Sequence, residues 1–186
     1  MSRIYNKQVE AEYSQLFEDL YNKTVIKILL LGPNTKETHP GSQLRKYIAR
    51  KCKGQRHTLY AERKRLINSY TKMSGKYSDF CDYEKRLAEL ANAIIIIPDS
   101  AGSLVELGLF VFRDDMHEKI LVLFSNEYPA SCLNFINLGP RKAYNIRNAW
   151  VKDIDYRNKK AAWSIVDDFL DKRKQIVCSR KSLHLE

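Results

Sequence analysis

The run Ile94-Ile-Ile-Ile97 limits what this chain can become more than any other stretch of it. Four consecutive isoleucines are too few to span a bilayer. β-Branched side chains without polar alternation suit a strand buried on both faces, as in a parallel sheet. Pro98 ends the pairing because it has no N–H to donate. Asp99-Ser100-Ala101-Gly102 then make a tight polar loop. From Ser103 an apolar helical segment runs through Leu104, Val105, Leu107, Leu109 and Phe110, with Glu106 as its only charge. A strand, a Gly/Ser loop and a buried helix with one carboxylate describe a place where small ligands bind in open α/β sheets. Loop amides at a helix N-terminus suit an anion or a sugar hydroxyl. The competing role is local: Ser103-Leu-Val-Glu106 fits the S-x-x-E capping box.

Composition sets the outer limits. With 186 residues, 44% of them hydrophobic, the chain predicts one domain over 1–186, with residues 1–22 an N-terminal helix and 177–186 a tail. Met1-Ser-Arg-Ile-Tyr5 lacks an apolar core, so no signal peptide and no membrane association are expected. Cys52, Cys81, Cys132 and Cys178 are widely spaced, which predicts reduced thiols in a cytoplasmic protein and neither a disulfide frame nor a metal site. The net charge of +10 points to a polyanionic partner.

Along the chain, Val9–Tyr21 has the spacing of an amphipathic helix. Val25–Leu31 is a strand running into Gly32-Pro33-Asn34-Thr35, where small residues let a ligand approach the backbone. Gln43–Lys53 predicts a basic helix, His57–Tyr60 a short strand, Arg63–Tyr77 a polar excursion and Tyr77–Leu90 a helix. Lys119–Phe124 is the next strand. Ser125–Pro140 reads as a long loop, Ala149–Val151 as a last short strand and Asn158–Lys174 as the closing helix. The alternation argues a three-layer, Rossmann-like α/β sandwich with a mainly parallel sheet. Right-handed crossovers would then gather Gly32–Thr35, Tyr60–Glu62, Asp99–Ser103 and Ser125–Asn137 around one crevice.

Bland roles compete at most of these positions. Glu84, beside Lys85 and Arg86, reads as a solvated charge, and Glu62, before Arg63-Lys64-Arg65, as an exposed ion-pair partner. Tyr60 is as often packing as stacking, Asn137 is a common turn former, and His39 and His57 read as loop and strand-edge residues.

Three stretches, ILLLGPN, YEKRLAELANAIIIIPDSAGSLVELGLF and FINLGP, together resemble the nucleoside 2-deoxyribosyltransferase-like proteins. The likeness is greatest to the N-terminal enzymatic domain of retron effectors of anti-phage defence, and it spans most of Val25–Pro140. Such effectors often continue into a helical DNA-binding region, whereas this chain stops near one domain. The resemblance implies cleavage or transfer at the N-glycosidic bond of NAD or a (deoxy)nucleotide, with Glu106 as the carboxylate nucleophile. It also implies that Asp99 and Glu84 hold sugar hydroxyls or orient Glu106. Phosphate would go to Gly32, Pro33, Asn34, Arg45 and the Ser100–Ser103 amides, including Gly102. Tyr60, Glu62 and Asn137 complete the substrate-binding set. No cofactor or metal beyond the substrate is implied. The partners implied are a reverse transcriptase with its DNA–RNA product and further copies of the chain. The alternative is a nucleotide-sensing module without turnover, binding nucleic acid through its basic faces.

Overall fold

The strand order β2-β1-β3-β4-β5, with every neighbouring pair parallel, organises the described part of the chain. The strands are β1 (Lys27–Leu31), β2 (Thr58–Tyr60), β3 (Ala93–Ile96), β4 (Ile120–Ser125) and β5 (Trp150–Ile154). The structure, a computed structural model, describes residues 14–55, 57–60, 71–72, 79–128, 131 and 134–183, and only the backbone of Tyr60 and Phe80. Glu62 and nearly all of the expected Arg63–Tyr77 excursion lie outside the described residues.

Period-two alternation sorts the isoleucine and leucine runs between two cores. Ile28, Leu30, Ile95 and Ile97 pack with Leu44 and Ile48 of α1 (Pro40–Gly54) and with Val166 and Phe169 of α5 (Lys159–Ser182). Leu29, Leu31, Ile94 and Ile96 face the other way, onto Tyr83 and Leu87 of α2 (Phe80–Leu90), Leu107 and Phe110 of α3 (Ala101–Phe110), and Tyr144 of α4 (Lys142–Ile146). The result is helices on both faces of a parallel sheet. All four residues of β3 are buried, and each of its three isoleucines contributes about 1.5–3 kcal/mol relative to exposure.

Two expectations change. Ser125–Pro140 is not loop throughout: the backbone is helical from residue 135, and Asn137–Arg141 forms a π turn that contains Pro140 and leads directly into α4. A proline within a helix has no N–H for the usual ladder, and a widened turn accommodates the gap. The closing helix runs past Lys174 to Ser182 and buries Cys178, so residues 177–182 are helix rather than tail. Among the described residues no helix is long and apolar enough to cross a membrane.

Candidate active site

The chain leaves β1 toward one edge of the sheet and β3 toward the other, so a crevice opens between their carboxyl ends. Gly32, which follows β1, has φ +152°, and a Cβ there would lie 3.1 Å from Ile97 Cβ and 3.2 Å from the Ile97 carbonyl oxygen. Only glycine takes this turn so close to β3 without strain. Buried Arg45 reaches back from α1 to hold the same loop. Its Nη1 donates to the carbonyls of Gly32 and Pro33, both at 2.8 Å, and its Nη2 donates to the carbonyl of Leu30 at 3.0 Å. The guanidinium expected near phosphate is therefore a brace for backbone oxygens. The Asn34 side chain accepts from the Lys36 N–H at 3.1 Å, an Asx turn that shapes the far side of the loop.

After β3, the N-cap of α3 is Ser100, three residues before the Ser103 that the motif suggested. Extended backbone at Ser100 lets its hydroxyl accept from the Ser103 N–H, while the Ser103 hydroxyl accepts from the amides of Ser100 (2.9 Å) and Asp99 (3.0 Å). The capping box is thus Ser100/Ser103, and Glu106 lies outside it, one turn further along. This removes capping as the role of Glu106. It also turns the Asp99 and Ser100 amides toward Ser103, so they are already occupied.

Glu106 is half-buried, and one of its carboxylate oxygens is shielded from water. Glu84 on α2 is buried, which overturns its reading as a solvated surface charge. Two residues apart on a helix is about 200°, so Glu106 lies on the opposite flank of α3 from Leu104.

That matters because Leu104 walls a cavity beside the loop after β3. The cavity, about 280 Å³, is lined among others by Asp99, Ser100, Leu104, Phe124, Tyr128 and Asn137. The structure therefore brings together the loops after β3 and β4. Gly32, Pro33, Asn34, Arg45, Gly102 and Glu106 are not in this lining. Of the four loops expected around one crevice, those after β3 and β4 share this cavity through their described residues, while Ala61 and Glu62 lie outside the described residues. Of Tyr60 only the backbone is described, paired with Leu29.

Arg141, not singled out in the sequence, and His39, read there as a loop residue, shape these walls. Arg141, buried at the end of the π turn, stacks over Phe124 at 4.6 Å and contacts the Tyr128 carbonyl and Asn137 Oδ1, each at 3.4 Å; it also pairs with Asp153 of β5. His39, at the N-cap of α1, places Nδ1 3.0 Å from Asp99 Oδ2. Neither carried a local signal, because each meets its partner only through the sheet order. Nearby, Tyr156 donates to the Leu123 carbonyl at 2.7 Å; burial, reinforced by the charge of Asp99, pushes its hydroxyl pKa well up, so it stays a donor. Among the described residues no group of three or more His, Cys, Asp or Glu side chains could hold a metal ion.

Sheet and crevice define an α/β protein with a candidate ligand site at the carboxyl edge of a parallel sheet. The STM3845 retron effector protein family matches residues 41–185, and the chain belongs to that family. It is also 36% identical over 62 residues to a retron Ec73 protein of Escherichia coli, named provisionally as a ribosyltransferase/DNA-binding protein. That match covers 33% of this chain and 19% of the E. coli protein's length.

Proposed function

We propose that this retron effector is an N-glycosidase of anti-phage defence, cleaving or transferring at the N-glycosidic bond of NAD or a (deoxy)nucleotide. The observation that carries the reading is Glu106: the lone carboxylate of an apolar helix, half-buried, on the helix that follows the central strand at a topological switch point. A half-buried carboxylate near a cleft is a candidate for a functional role. The ribosyltransferase wording in the E. coli relative's name supports the same class.

In this mechanism the Glu106 carboxylate attacks C1′ of the sugar from the face opposite the base. The bond from C1′ to the base nitrogen breaks, and its electron pair leaves with the base. Nicotinamide leaves NAD as a neutral molecule from a cationic ring, so no strong general acid is needed. Water or an acceptor base then takes C1′ and frees Glu106. Asp99 and Glu84 would hold sugar hydroxyls or orient Glu106.

The test is base release, read by chromatography, from NAD, deoxynucleosides and nucleotides. Glu106→Gln should keep the fold and lower release on the order of a thousandfold or more. Equal release by that variant removes the mechanism.

The second reading, a nucleotide sensor that binds nucleic acid, has its own observation. Exposed Lys46, Arg50 and Lys53 of α1 and Lys172, Arg180 and Lys181 of α5 belong to the two helices covering one face of the sheet. A reverse transcriptase with its DNA–RNA product would be the partner for that surface. Thermal stabilisation by a nucleotide without its consumption, unchanged in Glu106→Gln, would favour this reading.

A further inference from the structure

Asp99 is gripped from the β1 side of the crevice while it lines the cavity on the β4 side. His39 Nδ1 lies 3.0 Å from Asp99 Oδ2, and its Nε2 lies 2.9 Å from Glu37 Oε2 and 2.8 Å from Ser42 Oγ. Both ring nitrogens are thus engaged, and the imidazole cannot swing without losing contacts on two sides. Gly41 supplies the space: a Cβ there would come within 2.8 Å of Asp99 Cγ, so the carboxylate rests against the first turn of α1. The order Asp99, His39, Ser42 has the outline of a hydrolase triad, but Ser42 is wholly buried. Its hydroxyl reaches no substrate. What remains is a histidine whose Nδ1 bears on one carboxylate.

We propose that His39 is a positioning residue: its Nδ1–H holds the Asp99 carboxylate in the orientation in which it meets a sugar hydroxyl in the cavity. Glu37 and Ser42 fix the ring from behind. This rests on the N-glycosidase reading for its consequence in catalysis, but the contact itself is independent of turnover. A ribose or deoxyribose hydroxyl donates to an oriented carboxylate, and an error of about 1 Å in such a group can cost on the order of a hundredfold in rate.

Two amide substitutions separate the ring nitrogens. In His39→Asn the side-chain NH₂ stands where Nδ1 was; in His39→Gln it stands where Nε2 was. With the full chain and NAD as probe, His39→Gln should lose roughly ten- to a hundredfold in base release, as Asp99→Asn should. His39→Asn should recover most of that loss. Equal impairment of the Asn and Gln variants, with matching melting temperatures, overturns the proposal, because a merely structural histidine would behave so. A second measurement needs no turnover: nitrogen NMR of histidine-labelled protein. Asp99→Asn should shift the His39 Nδ1 resonance more than the Nε2 resonance. If wild-type protein releases no base from any probe, the N-glycosidase reading falls, and the NMR result alone decides the contact. An Nδ1 resonance indifferent to Asp99→Asn then overturns the proposal.

Discussion

Gly41 and Asp99 touch in a way that only a glycine permits: a Cβ on Gly41 would lie 2.8 Å from Asp99 Cγ and 2.9 Å from Asp99 Cβ. The first turn of α1 and the loop after β3 are therefore matched in shape, and the acid at the cavity rim is seated by a missing side chain. Gly41→Ala should displace Asp99 and cost about 1–3 kcal/mol, the usual range for overpacking. The double variant Gly41→Ala/Asp99→Gly should regain most of that stability, since the clash is with the Asp99 side chain, Cβ included. Thermal unfolding of the three proteins measures the coupling; strictly additive losses would contradict the contact.

Arg45 supports a second prediction. It satisfies three carbonyls of the β1–loop junction from a buried position. Arg45→Ala should destabilise the chain by about 3 kcal/mol or more, because buried acceptors lose charged donors. Arg45→Lys should rescue little, as an ammonium cannot reproduce the planar fork. Urea denaturation checks both. Near-normal stability in either variant would show that the brace is dispensable.

Arg141 ties the π turn to β5 through Asp153 and stacks on Phe124 beneath the cavity. Its partner is well exposed, so the pair is worth less than a fully buried one. Arg141→Met should lower stability by about 2 kcal/mol and increase protease cleavage around residues 128–137, where the arginine's contacts end. Limited proteolysis followed by mass spectrometry would report this, and an unchanged cleavage pattern would count against the clamp.

A pH effect follows from His57. Burial, aided by the charge of Lys174, lowers its pKa, with Asp171 and Asp167 opposing; its Nδ1 is buried without a hydrogen-bond partner among the described residues. The neutral ring is the form that the fold accepts. Its stabilising contribution is present above the unfolded value of about 6.5 and is lost as pH falls through the lower folded value. Unfolding free energy should therefore drop more steeply between about pH 6.5 and 5 in wild-type protein than in His57→Gln. Parallel slopes in urea melts at those pH values would exclude His57 as the cause.

Much of the frame was legible in the residues because it depends on local pattern. The isoleucine run, VIKILLL and KILVLF each carry the unbroken apolar character of strands covered on both faces, and all three are such strands. β5 was harder to place. Only Ile154 of its five residues is buried, so it lacks that signature as an edge strand. The S-x-x-E motif at Ser103 misled for a related reason. Two overlapping serines could each cap, and the choice of Ser100 depends on the extended backbone that leaves β3.

Alternating strands and helices, a parallel sheet and a half-buried glutamate after the central strand were determined by the sequence alone, since hydrophobic period and breaker residues act over a few positions. Which residues face one another was decided by the tertiary structure. Insertion of β1 between β2 and β3 sets the Pro33–Pro40 connection beside the Asp99 loop, and so brings His39 to a carboxylate sixty residues away. The same packing turns Arg45 inward onto backbone oxygens. Such contacts form between elements distant in the chain, and no spacing within a single segment encodes them.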